Sequence, residues 1–318
     1  MILLWGLPGD RPLGMVAEEL ARRRCAFELL DQRKAVHAVV DLEVDGEVGG
    51  RLELGDFAVR FEDISAAYVR PYDSRRLPDV VAAGDGSELW NRAMAIEDIL
   101  SSWCDITPAL VVNRPWDMAA NGSKPYQLEW IASLGFSVPA TLVTTDPEAA
   151  LAFWECHRDV VYKSVSSTRS VVARLSECEK ARVETVRWCP TQFQAYVAGV
   201  DYRVHVVGDA VFATRIVSDR DDYRYASTSG GITRLEACEL QTEVVDKCRE
   251  VARAMNLHLA GLDLRQSIEG EWFCFEVNPS PGFSYYEEAT GQRISQAVAD
   301  LLLQSSRIAD KGELTQCV

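Results

Sequence analysis

Two carboxylates and an amide in this chain, Asp263, Glu276 and Asn278, are spaced so that they could share a hard metal ion. Phe273, Phe275 and Val277 alternate with Cys274, Glu276 and Asn278. Successive side chains of a strand point to opposite faces, so Glu276 and Asn278 share one face and the phenylalanines take the other. Upstream, Leu262 and Leu264 alternate with Gly261, Asp263 and Arg265. If Glu269-Gly270 is a two-residue turn, Ile268 pairs with Glu271, and counting outward sets Asp263 directly opposite Glu276. Like charges directly opposite each other destabilise a sheet pair unless something compensates. Magnesium would compensate, because it takes oxygen ligands and is commonly held by one or two carboxylates plus substrate phosphates. The same pattern also describes an ordinary half-exposed hairpin, so the reading depends on the residues around it.

Those residues offer phosphate chemistry. Lys163 sits inside the apolar run Val160-Val161-Tyr162-Lys163-Ser164-Val165. Burying an ammonium is costly without a partner, and a polyphosphate is one such partner; a snorkelling edge-strand lysine is the alternative. Ser164, Ser166, Ser167, Thr168, Arg169 and Ser170 follow, a hydroxyl-rich turn able to donate to phosphate oxygens or to serve as a plain polar loop. Lys124 follows Asn121-Gly122-Ser123 at the expected N-terminus of a helix, a position that favours anions. Arg203, Arg215 and Arg224 lie on or after an expected hairpin; they are either surface cations or the charges that surround a transferring phosphoryl group. The chain has no G-x-x-x-x-G-K-[ST] loop and no G-x-G-x-x-G after its first strand, which argues against Walker-type and dinucleotide-binding sites.

The elements that must position these groups read as α/β. Met1 to Leu7 is an expected strand, Gly9-Asp10-Arg11-Pro12 opens a helix with Leu13, Val16, Ala17 and Leu20 on one face, and Ala26 to Leu30 is a second strand. Val36 to Ile64 alternates as short antiparallel strands, and Ala66 to Arg70 is a further strand. Leu128 and Ile131 mark a helix closed by Gly135, and Asp146-Pro147 starts another. Phe193 to Ala198, His258 to Gln266 and Glu271 to Val277 are strands; Glu239 to Met255 and Ile294 to Leu303 are helices. The expected units are residues 1–110, 111–193 and 194–305, followed by a polar tail over 306–318.

Bulk properties narrow the partners. The 318 residues carry a net charge of −15, which argues against nucleic acid, since phosphate neutralisation needs an excess of Lys and Arg. No apolar run is long enough to span a bilayer, and the start reads as a buried strand. The nine cysteines are scattered with no C-x-x-C, as expected of reduced cytoplasmic thiols. The four histidines form no ligand-spaced pair and are read as structural.

Taken in order, these pieces resemble the ATP-grasp superfamily, above all the RimK-like glutamate ligases and the graspetide (microviridin-type) ligases that cyclise ribosomal peptides. The segments that carry the likeness are Asn121-Gly-Ser-Lys124-Pro-Tyr-Gln-Leu128, Gly135-Phe-Ser-Val-Pro139-Ala-Thr141 and Val161-Tyr-Lys163. They continue with Gln194-Ala-Tyr-Val197-Ala-Gly199-Val-Asp201-Tyr-Arg203, Ala260-Gly-Leu-Asp263 and Phe275-Glu276-Val-Asn278-Pro-Ser-Pro-Gly282-Phe. Any one is weak; the ordered set is specific. The resemblance implies an ATP-grasp fold behind an N-terminal pre-ATP-grasp α/β domain, with ATP and Mg2+ as cofactors. It implies that Lys124 and Lys163 contact the α- and β-phosphates. Gln194, Ala195, Tyr196 and Val197 would form the adenine hinge, with Asp201 near the ribose. Arg203 and Arg215, with Arg224 as a further candidate, would face the γ-phosphate and acyl phosphate. Asp263, Glu276 and Asn278 would hold one or two magnesium ions. The chain departs from many family members in lacking a glycine-rich loop after Lys163; Arg169 would substitute for its backbone donors.

The function so implied is an ATP-dependent ligase that phosphorylates a carboxylate of a peptide or amino-acid-like substrate, after which an amine or hydroxyl displaces phosphate. Tyr285, Tyr286, Glu287 and Glu288 are candidates for the acceptor site, or helix-approach residues; Arg70 and Tyr72 are further substrate candidates. A homodimer is left open. The competing readings are a kinase acting on a stable acceptor and a non-catalytic nucleotide- or peptide-binding module.

Overall fold

The computed structural model describes the chain except residues 56, 120–123, 166–171, 219–232 and 316–318. Residues 1–112 carry seven strands: β1 (Ile2–Gly6), β2 (Phe27–Asp31), β3 (Val39–Val44), β4 (Val48–Leu54), β5 (Phe57–Arg60), β6 (Ala66–Arg70) and β7 (Leu110–Val112). Four form a parallel sheet in the order β2-β1-β6-β7. Both of its faces are covered, as a near-continuous apolar strand such as Ile2–Gly6 requires. Ile2 and Leu4 pack on Leu13, Val16 and Leu20 of the Arg11–Arg22 helix and on Val298 and Leu302 near the C-terminus. Leu3 and Trp5 pack on Ile96, Leu100 and Trp103 of the Glu88–Ile106 helix. The Asp10 carboxylate caps the first helix by accepting from the Leu13 N–H at 2.9 Å. Strands β3, β4 and β5 form the expected small antiparallel sheet.

The second sheet contains β8 (Thr141–Thr144), β9 (Val160–Ser164), β10 (Ala173–Arg174) and β11 (Thr191–Ala195), in the order β10-β9-β11-β8. Phe193 and Val160 pack behind it on Ala150 of the Pro147–His157 helix and on Val183 and Val186. Here the strand expected over Phe193 to Ala198 begins earlier, at Thr191, and pairs with β8 and β9. The apolar side chain at 193 and the amides at 192 and 194 fit the two faces of this sheet.

The third sheet holds β12 (Gly199–Val207), β13 (Ala210–Ser218), β14 (Thr233–Cys238), β15 (Leu259–Ser267) and β16 (Trp272–Asn278), all antiparallel, in the order β14-β13-β12-β15-β16. Its inner face, with Val204, Val206, Leu262, Leu264, Cys274 and Val277, meets Val244, Cys248 and Val251 of the Thr242–Ala254 helix. Ile131 and Phe136 enter the same core, so the Lys124–Ser133 helix packs with this sheet although sequence order places it ahead of the second.

The β15–β16 hairpin reaches the expected pairing by an unexpected route. Its turn is one residue longer than two, with Gln266 paired to Trp272 and Gly270 at φ +89°. A bulge between Asp263 and Leu264 on one side and Cys274 to Glu276 on the other takes up the extra residue. The two shifts cancel, and Asp263 lies opposite Glu276. They also break strict alternation: Cys274 and Val277 are buried in the core while Phe275 joins Glu276 on the other side.

Candidate active site

A cleft with about 800 Å³ of empty volume lies between the second and third sheets. Its walls carry Lys163 from β9, Gln194 and Ala195 from β11, and Tyr196 and Val197 just beyond it. They also carry Asp201 from β12, Asp263 from β15 and Glu276 from β16. Eight of the residues singled out in the sequence thus meet in one place. Arg169, Arg224 and Asn121 to Ser123 lie outside the described residues.

Three charged side chains form a row across the third sheet. Arg203 pairs with Asp263, and Asp263 with Glu276, at directly opposite positions on β12, β15 and β16. The Arg203 Nη1 donates to Asp263 Oδ1 at 2.5 Å, and Arg203 is buried. Asp263 is thereby compensated, while no described hydrogen bond or ion pair engages the Glu276 carboxylate. Asn278 sits opposite Gly261, and its Oδ1 accepts from the Ser280 N–H at 3.0 Å. Among the described residues no group of three His, Cys, Asp or Glu could hold a metal. Two carboxylates facing an open cleft, with oxygen donors only, fit a cation that completes its shell with phosphate and water.

The segment from Gln194 to Asp201 is held from β15. Arg265 donates from Nε and Nη2 to both oxygens of Asp201, at 2.6 and 2.8 Å, and from Nη1 to the Val197 carbonyl at 2.8 Å. The Tyr196 ring centroid is 3.7 Å from Arg174 Cζ and 5.3 Å from Arg265 Cζ. Such stacks are favourable because the ring face is electron-rich. Gln194 Nε2 donates to Thr141 Oγ1 at 3.0 Å. Gly199 is required where it stands, since a Cβ there would lie 2.0 Å from the Gln266 carbonyl oxygen.

Lys163, on the cleft wall, is buried opposite Gln192. The remaining candidates stand away from the cleft lining. Lys124 is buried in the first turn of its helix. Arg215 is half-exposed, 3.8 Å from Glu236. Tyr285 is 54% exposed, whereas Tyr286 is buried with its ring edge-on to His205. Glu287 accepts from the Ser295 N–H and Oγ at 2.7 and 2.6 Å, and Glu288 pairs with Arg11. Tyr72 exchanges backbone hydrogen bonds with the Gln32 side chain. Arg70 is a strut: it donates to Asp10 at 2.7 Å, to Ser280 Oγ at 3.0 Å and to the Pro281 carbonyl at 3.1 Å. It ties the N-terminal sheet to the loop after Asn278.

Three further positioning residues had no signal in the sequence that separated them from ordinary polar side chains. Asn113 accepts from the His258 and Leu259 N–H groups and donates to the Leu259 and Pro279 carbonyls, so its buried amide is fully used. Gln127 bonds the N–H and the carbonyl of Val277 at 2.9 and 2.7 Å, completing the ladder on the outer edge of β16. Arg265 is the third; only its shared parity with Asp263 pointed to the cleft.

The chain is similar to known proteins. A family model described as the RimK-like ATP-grasp domain matches residues 122–302. A probable alpha-L-glutamate ligase of Pseudoalteromonas translucida is 27% identical over 219 residues, 64% of this chain and 70% of that protein. One of Shewanella loihica is 23% identical and covers 88% of this chain and 95% of its own length. The structure of the ATP-grasp ligase PsnB, complexed with a phosphomimetic variant of its minimal precursor, Mg and ADP, superposes with a TM-score of 0.80 at 28% identity, covering 96% of this chain and 98% of PsnB. The macrocyclase MdnC of Microcystis aeruginosa, bound with precursor peptide MdnA, shares the fold at 19% identity and a TM-score of 0.78, over 95% of this chain and 98% of MdnC. With that family matched over more than half of its length, the chain is a member of the RimK-like ATP-grasp family.

Proposed function

We propose that this chain, an ATP- and magnesium-dependent ligase, activates a side-chain or terminal carboxylate of a peptide and joins it to an amine or hydroxyl. The observation that carries the reading is the Asp263–Glu276 pair facing Gln194 to Val197 across one cleft, with the buried Arg203 ion-paired to Asp263. ATP would lie with adenine against Gln194 to Val197 and ribose near Asp201. Lys124 and Lys163 would meet the α- and β-phosphates, and Arg203 and Arg215 the γ-phosphate. Arg169 and Arg224 are kept as candidate phosphate contacts. Asp263, Glu276 and Asn278 would hold magnesium, which supplies charge neutralisation at the β- and γ-phosphates when bound. The substrate carboxylate oxygen attacks the γ-phosphorus, its bond to the β-bridging oxygen breaks, and ADP leaves. The nucleophile then attacks the acyl carbon, inorganic phosphate departs, and a proton is lost from the amine or hydroxyl. Arg203, fixed by Asp263, needs no reorganisation to face the charge on the transferring group. Tyr285, exposed beside the loop after Asn278, is kept as an acceptor contact, while Arg70 and Tyr286 position that loop and its neighbours.

PsnB is complexed with a peptide precursor, which supports a peptide as the carboxylate donor here. Free thiols throughout the described cysteines support a cytoplasmic setting. The test is incubation with ATP, magnesium and peptides encoded by neighbouring genes, followed by mass spectrometry. Loss of one water per bond formed is the result expected of internal ligation, and gain of a residue mass that of adding a free amino acid. ATP turnover indifferent to every carboxylate and amine would overturn the reading.

A further inference from the structure

His205, read from the sequence as structural, lies against Arg203. It is completely buried on β12, two residues from Arg203 and on the same face. Its Nε2 accepts from Arg203 Nε at 3.4 Å, and its Nδ1 has no hydrogen-bond partner. An imidazole nitrogen that accepts carries no proton, so a neutral ring here has its proton on Nδ1. Burial and the adjacent guanidinium both push the ring toward the neutral form.

The rest of the cage is equally specific. His205 lies opposite Gly261 on β15. A Cβ at Gly261 would stand 2.3 Å from Arg203 Nη2 and 2.7 Å from Pro281 Cβ, so the guanidinium occupies the space a side chain would fill. Tyr286 closes the site, its ring 5.1 Å from His205 and 5.8 Å from Arg203 Cζ. Arg203 therefore has its Nε directed at His205, its Nη1 at Asp263 and its Nη2 over Gly261.

We propose that His205 is a positioning residue for the phosphoryl-transfer step: as a neutral imidazole with its proton on Nδ1, it accepts from Arg203 Nε and fixes the rotation of the guanidinium against Asp263. The inference rests on the role given to Arg203 above. A second imidazolium charge at this place would repel Arg203, and an apolar side chain would leave Nε buried without an acceptor. Because a displacement of about 1 Å in a reacting group costs as much as ~100-fold in rate, the effect belongs in turnover and not in nucleotide affinity.

Two measurements test this. His205→Leu should lower kcat by about 10- to 100-fold while KM for ATP stays within about twofold, and His205→Gln, whose Oε1 can accept from Arg203 Nε, should recover most of the loss. Nitrogen NMR of the histidine rings in the unmodified enzyme should show His205 neutral at pH 7 with the proton on Nδ1; this needs neither turnover nor a folded variant. A Leu variant with unchanged kcat, a Gln variant as impaired as the Leu variant, or a proton found on Nε2 would each overturn the proposal. Full turnover in Arg203→Ala would overturn the functional reading itself, whereas the ring's protonation is measured independently of it.

Discussion

The third-sheet wall of the cleft presents its charges in pairs, Arg203 with Asp263 and Arg265 with Asp201, each made before any nucleotide arrives. The second-sheet wall is different. Its back is a small apolar cluster around Phe193, Val160 and Val186, and its cleft side carries Lys163 beside amides. Gln194 makes one side-chain bond, to Thr141, and Gln192 is fully buried with neither amide atom partnered. Paired charges fix a geometry in advance, which is what stabilising a transition state requires. A buried amide without partners costs about 1–3 kcal/mol and specifies nothing. One wall has its charges paired with each other; the amides of the other are organised chiefly by what the strand packs against.

The largest expected effect tests the first wall where it bears on the reaction. Glu276→Gln keeps the shape of the side chain and removes a charge that no described group compensates. Turnover should fall by about 10³-fold, roughly 4 kcal/mol in the barrier, while the melting temperature stays near wild type. A variant that is inactive because it is unfolded would break the contrast between the walls. Asp201→Ala comes next. It leaves the mostly buried Arg265 guanidinium without its bidentate partner and should cost about 3 kcal/mol in a denaturant titration. Adding Arg265→Met should recover part of that cost; no recovery would mean that Asp201 acts apart from Arg265. Gln127→Ala is smaller. It exposes no charge but strips the N–H and carbonyl of Val277 of their partners, at about 2 kcal/mol, readable as a lower denaturant midpoint.

The same contrast explains what could be read from the chain directly. Strand alternation and the order of Lys163, Gln194, Asp201, Asp263 and Glu276 pointed to residues that meet in the cleft, because period-two patterning and spacing are local properties. The opposition of Asp263 and Glu276 was also legible, though through a turn and a bulge whose errors cancel. The pairings that organise the third-sheet wall were not. Arg203 and Asp263 are separated by 60 residues, and Gln127 and Val277 by 150. Nothing local to either member announces its partner. The membership of β11 in the second sheet was hidden for the same reason, since it is decided by β8 and β9 and not by its own residues.

Acid should unsettle the third-sheet wall through His205. Burial lowers its pKa well below 6.5, so the folded protein holds the ring neutral while the unfolded chain takes up a proton below about that pH. The unfolded state then binds more protons, and stability falls as pH drops, by up to about 1.4 kcal/mol per pH unit from this group. Above pH 6.5 the group contributes no slope. Denaturation midpoints between pH 7 and pH 5 should therefore decline in the wild type and flatten in His205→Leu. An unchanged slope in the variant would remove His205 as the cause, leaving His258, whose pKa burial also lowers.

The smallest effect belongs to the second-sheet wall and has the opposite sign. Gln192→Leu replaces two buried, unpartnered amide atoms with carbon at a site already closed to solvent. If that wall is held by packing alone, the exchange should raise stability by about 1 kcal/mol, seen as a higher denaturant midpoint. Gln192 lies directly opposite Lys163, so the same variant also asks whether the amide has a use once nucleotide is present. A gain in stability with unchanged KM for ATP keeps the two walls as different as the structure makes them. A gain in stability with a raised KM would mean that Gln192 joins Lys163 as a polar group kept for the ligand, one that is satisfied only when the ligand is there.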